Sequence, residues 1–111
     1  MDNFGFSQER WSKFSLAEQM GNIGSEAERA FSWREKKDAI AEQKAFDRTL
    51  ALIDLTLADE RFRHRLKEIA RTREVFCDFF QGGINFSVSA EELRRYFFQF
   101  ALAARAQIIF Q

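Results

Sequence analysis

Apolar residues recur at spacings of three and four in four successive stretches of this chain, the mark of helices that bury one face. The first stretch predicts a helix from about Gln8 to Lys36, with Ser7 as its N-cap. Its core face is Leu16, Met20, Ile23, Ala27 and Ala30. The second predicts a helix from about Asp38 to Leu57 that turns Ala39, Phe46, Leu50, Ile53 and Leu57 inward. After a break at Ala58 to Arg61, the third runs from Phe62 to about Gln81 and aligns Phe62, Leu66, Ile69, Phe76 and Phe80. Gly82 and Gly83 end it. Ser89 with Glu92 then reads as a capping box that opens the fourth helix, Ala90 to about Ile109. That helix gathers Leu93, Phe97, Phe100, Ala104 and Ile108 on one side. No stretch alternates with the period of a strand over a useful length. Four helices with short connections predict an all-α, antiparallel up-down four-helix bundle. It forms one domain over residues 1–111, with residues 1–7 as a flexible arm.

Two of these helices are apolar on a second side. Phe98, Leu102 and Ile109 lie nearly opposite the Leu93–Phe97–Phe100 face, and Ala41, Ala45, Leu52 and Leu55 form a weaker second stripe on helix two. Every helix of a small bundle has an outer face, so a second apolar stripe predicts an interface, with Phe98, Leu102 and Ile109 as its contact residues. The alternative is that the arm and the Phe86 loop cover helix four. Within helix one, Ala17, Gly21 and Gly24 fall along one flank of the core face. Small residues at that spacing admit a neighbouring backbone, at about 1 kcal/mol per glycine relative to alanine. A ligand-binding break is the competing reading, but the Lys-Ser/Thr ending of a phosphate loop is absent.

Composition narrows the function classes. Seventeen basic and seventeen acidic side chains give zero net charge, without the basic surplus usual in nucleic-acid binders. The absence of proline favours long helices, and 14 Phe against one Tyr point to rings used in a core or an interface. One cysteine, Cys77, forms no internal disulfide and cannot complete a multi-thiolate zinc site. No stretch approaches 18 continuous apolar residues, and Met1 to Phe4 does not open a basic signal sequence. A cytoplasmic protein with no membrane partner is expected.

The polar positions suggest three groups. Gln19, Asn22, Glu26, Arg29 and Trp33 form a stripe beside the core face of helix one, read either as a solvated face or as a half-buried network at a partner or ligand site. Arg73 falls among the apolar residues of helix three and needs a carboxylate, with Glu26, Asp54, Glu74 and Asp78 as the candidates. The stretch from Arg61 to Arg73 holds six Arg or Lys, and Arg63, Lys67 and Arg71 share an outward face as the candidate nucleic-acid contact. His64 is the only histidine, so no His-rich metal site or Glu-x-x-His pair can form. Cys77 is read as an inert thiol bordering a core face. The ribonuclease motif of HEPN-type helical bundles requires Arg five to seven positions before His, where this chain has Asp59, Ala58 and Leu57. Neither a metal nor another cofactor is expected.

The runs EQMGNIGSEAERAFSW, RTREVFCDFF and YFFQFALAAR together resemble a family of small bacterial all-helical proteins. In that family a Trp, an Asn-Ile-Gly-Ser-Glu run and an Arg-Glu-Val run recur in this order. The resemblance implies no catalytic residues, and it singles out Asn22, Glu26, Arg29, Trp33, Arg73, Glu74 and Asp78. The expected function is a non-enzymatic helical interaction or scaffold module that self-associates, a dimer first, with a further protein partner open. The alternatives are a nucleic-acid-associated, degenerate HEPN-like bundle and a small-ligand binder built on Glu26, Arg29 and Arg73.

Overall fold

Ser15, rather than Ser7, opens the first long helix. Its hydroxyl accepts from the Glu18 N–H while the Glu18 carboxylate accepts from the Ser15 N–H, a complete capping box. The expected continuous helix from Gln8 is therefore two: a single turn, α1 (Gln8–Trp11), capped by Ser7, and α2 (Leu16–Glu35). The structure is a computed structural model and describes residues 5–109; the side chains of Ile108 and Ile109 lie outside the described residues, as do residues 1–4 of the expected arm. Of that arm, Phe6 packs half-buried on the core with the Arg48 guanidinium 5.3 Å from its ring centroid.

Lys37, at φ +60°, reverses the chain between α2 and α3 (Ala39–Leu57), and the Asp38 carboxylate caps the new helix. Asp59 caps a 3₁₀ turn (Glu60–Arg65), and α4 (Leu66–Phe80) begins only after it. Phe62 keeps its expected burial but not its expected helix, because Arg61 turns its N–H and guanidinium onto the Asp59 carboxylate. Leu66, one residue into α4, is exposed rather than on the core face. Gly82 and Gly83 both take positive φ, where a Cβ would be strained, and lead into α5 (Ala90–Ile109). Here the Ser89 hydroxyl accepts from the Glu92 N–H as expected.

All described regular structure is helical, and α2 is its centre. Arg34 reaches Glu42 and Glu26 reaches Arg48, so α3 runs antiparallel along one side of α2. Gly24 meets Phe97 and Gly21 meets Ala101, so α5 runs antiparallel along another side. On α4, Phe76 and Phe80 stack on Phe46 of α3 and Phe31 of α2.

The glycine seam is thus a docking track for α5 inside continuous helix. A Cβ added at Gly24 would stand 2.6 Å from the Phe97 Cβ. The second stripe of α3 is internal: Ala45 and Leu52 are buried, because α3 packs against both α2 and α4. Only on α5 does the second stripe face outward. No described helix is long and apolar enough to cross a membrane.

Candidate functional site

The polar stripe of α2 divides into two environments. Gln19, fully buried, donates to the Trp11 carbonyl at 2.9 Å and to the Asp59 carboxylate at 3.2 Å. The Trp11 indole N–H donates to the Thr56 hydroxyl at 2.9 Å. This lock ties α1 to the α3 end of the molecule, and both side chains are buried. Asn22 is exposed.

Glu26 is different. It is 7 % exposed, and its Oε1 accepts from Arg29 Nη1 at 2.8 Å and from Arg48 Nη2 at 3.4 Å. Its Oε2 is buried and accepts no hydrogen bond. Beside it, Trp33 is half-buried with the Lys36 ammonium 4.9 Å from its ring centroid. Glu26, Arg29 and Trp33 from α2, with Ala41, Lys44 and Arg48 from α3, line an open cleft of about 320 Å³. Arg48 and Lys44 carry no signal in the α2 stripe; the helix pairing brings them there.

Arg73, Glu74 and Asp78 stand apart from that cleft. Arg73 Nε donates to Asp54 Oδ1 at 2.8 Å, with both side chains about one-third exposed, so Asp54 is the partner among the four candidates. Glu74 is exposed. Asp78 is buried, and its carboxylate accepts from the Asn85 and Phe86 N–H groups, anchoring the loop before α5. Burial pushes the Cys77 thiol above its usual pKa, against a smaller opposite effect of Arg73. It remains a protonated, weakly nucleophilic thiol.

Part of the basic strip is paired within the fold. Arg61 binds Asp59, Arg65 binds Glu68, and the Arg71 guanidinium lies 4.4 Å from the Phe86 ring centroid. Arg63 and Lys67 are exposed. The Arg61 hydrogen bond holds the Asp59 carboxyl below its ordinary 3.8, against the opposing effect of burial. The folded chain therefore binds fewer protons at Asp59 than the unfolded chain, and its stabilisation is present above about pH 4 and lost as pH falls through the lowered value. Asp59→Asn keeps a capping oxygen but removes the titration. Thermal melts from pH 7 downward should show a shallower loss of stability below about pH 4 in the variant than in the wild type.

A second surface lies between α2 and α5. Arg94 clamps the two helices, donating to Glu28 at 2.7 Å and to Glu35 at 2.9 Å. The sequence pattern gives no hint of this clamp beyond the seven-residue spacing of its acceptors on one helix. Next to it runs an open trough of about 600 Å³, with Gly21, Gly24 and Ala101 at the seam and Phe98 on its wall. Phe98 is 60 % exposed and Leu102, one turn on, is 50 % exposed. Tyr96 faces the other way, hydrogen-bonded to the Thr72 hydroxyl at 2.9 Å and to Glu68 at 3.2 Å, and bridges α5 to α4. Comparison of the chain with family models, curated proteins and solved structures gives no match.

Proposed function

We propose that this chain is a non-enzymatic interaction module that self-associates, as a homodimer in the simplest case, through the face of α5 that carries Phe98 and Leu102. The four longer helices are read as an antiparallel up-down bundle, which short connections and the pairing of α2 with α3 and α5 support. The reading rests on one observation: two large apolar side chains stand one turn apart and at least half-clear of the fold, beside a trough lined by glycine and alanine.

Such a patch offers both a projecting ring and a hollow. Under a two-fold rotation each copy presents its projection to the other's hollow, the condition for an isologous interface. Zero net charge sets up no overall repulsion between copies. Arg94, Glu28 and Glu35 would lie toward the rim, where charged groups are tolerated.

The test is Leu102→Asp, examined by sedimentation velocity. A carboxylate in an apolar contact should weaken the dimer at least about tenfold, equivalent to about 1.4 kcal/mol. Because Leu102 is half exposed, the melting temperature of the isolated chain should stay close to that of the wild type. Unchanged association in the variant would sink this interface.

A further inference from the structure

The end of the molecule where α2 turns into α3 takes no part in the self-association reading, and every residue from 34 to 40 is exposed there. We propose that this tip docks reversibly on an anionic lipid bilayer. Ile40 would enter the outer acyl region, and Lys36, Lys37 and Lys44 would lie against the headgroups. The expected absence of a membrane partner rests on the lack of a spanning segment, and a surface contact needs none.

Three observations converge on this surface. First, Ile40 is 75 % exposed, an aliphatic side chain projecting from the first turn of α3. Lys44, four residues on, is its neighbour on the helix surface. Lys44 lines one cleft with Trp33, and the Lys36 ammonium stands 4.9 Å from the Trp33 ring centroid. An apolar projection, an indole and several ammonium groups together suit a membrane–water interface.

Second, the lysines are available. Lys36, Lys37 and Lys44 are all exposed and form no ion pair among the described residues. The acidic groups at this end are engaged: Glu35 with Arg94 at 2.9 Å, Glu42 with Arg34 at 3.8 Å, and Asp38 as the cap of α3. That leaves three ammonium groups against one capping carboxylate, on a chain whose total charge is zero.

Third, a lysine occupies a position that suits glycine. α2 ends in a Schellman motif, in which the Asp38 N–H donates to the Trp33 carbonyl at 3.0 Å and the Lys37 N–H to the Arg34 carbonyl at 3.1 Å. Lys37 holds its left-handed residue, at φ +60°, where a side chain is strained. Glycine would serve the turn at least as well, so what Lys37 adds is an ammonium three residues from Ile40. A nucleic acid would offer phosphates to the lysines but no apolar layer to Ile40. An anionic bilayer offers both.

The experiment is titration of the full chain with vesicles of phosphatidylcholine containing about one-third phosphatidylserine, followed by co-sedimentation and tryptophan emission. Trp11 is buried in the core, so a blue shift reports on Trp33. The expected result is saturable binding at low salt, half-complete at about 1 mM lipid or below. Phosphatidylcholine alone should bind at least about tenfold more weakly, and added sodium chloride should release the protein.

Ile40→Asn should weaken binding at least about tenfold. Lys37→Gly should weaken it about fivefold while melting at or above the wild-type temperature, a split that a purely structural lysine would not give. Absence of binding, equal binding to phosphatidylcholine alone, or full affinity in either variant would each overturn the proposal. Binding lost in Leu102→Asp but kept in Ile40→Asn would move the contact to α5 and overturn it too. Retention on single-stranded RNA with no binding to vesicles would assign the tip to a nucleic acid instead.

Discussion

Replacing Phe76 with alanine is expected to remove about 3–5 kcal/mol of folding stability, the range for deleting a fully buried ring. Phe76 has no exposed surface, and its ring lies 5.0 Å from Phe80, 5.5 Å from Phe46 and 6.1 Å from Phe31 by centroids. These four rings come from α2, α3 and α4, so the cavity would open where three helices meet. None of the three can close it alone without losing contacts elsewhere, which places the cost toward the upper end. Against a total of about 5–15 kcal/mol for a domain, that is a large fraction. Urea denaturation checks it: the midpoint should fall with little change in slope, since the surface exposed on unfolding is nearly the same. A loss below about 1 kcal/mol would mean that the aromatic cluster is looser than its ring distances imply.

The second large effect is a contrast between two glycines three residues apart. In helix either glycine costs about 1 kcal/mol relative to alanine, so propensity alone predicts stabilisation at both positions. Packing separates them. At Gly21 a new Cβ would meet the Ala101 Cα at 3.4 Å, an ordinary contact, and Gly21→Ala should gain up to about 1 kcal/mol.

At Gly24 the neighbour is the Phe97 Cβ at 2.6 Å, an atom next to the α5 backbone that cannot swing aside. Relief would require α5 to move away from α2 along the Arg94 clamp. Overpacking of this kind costs about 1–3 kcal/mol, which exceeds the propensity gain. Gly24→Ala should therefore be less stable than the wild type and Gly21→Ala at least as stable, measured in the same denaturant series. The opposite order would argue against α5 docking on the glycine track.

This seam was legible because it obeys local rules: small residues recur on one helical flank, and a flank beside a core face has a neighbour to admit. The core faces of α2 and α5 follow the same periodicity. Other features were harder to see. The Ser15–Glu18 capping box is present in the sequence, yet the apolar pattern runs through it and favours one helix. The outcome turned on tertiary contacts of Trp11 and Gln19 that no local pattern carries.

The second stripe of α3 resembles that of α5 in sequence, but Ala45 and Leu52 of the one are buried while Phe98 and Leu102 of the other are open. Which stripe a neighbour covers depends on packing order, and periodicity does not encode that. For the α2–α3 cleft, Glu26, Arg29 and Trp33 share a helix and could be grouped by spacing. Lys44 and Arg48 come from a second helix, so the full lining of the cleft became readable only with the pairing of α2 and α3. Arg73 illustrates the same limit. Its need for a carboxylate was evident, while the choice of Asp54 depended on how α4 lies along α3.

Self-association of the α5 face is tested most directly by molar mass from light scattering over a concentration series. A dimer built on Phe98 and Leu102 should approach twice 13.1 kDa at high concentration and fall toward the monomer mass in Leu102→Asp. A wild-type mass that stays at 13.1 kDa throughout the series would contradict it.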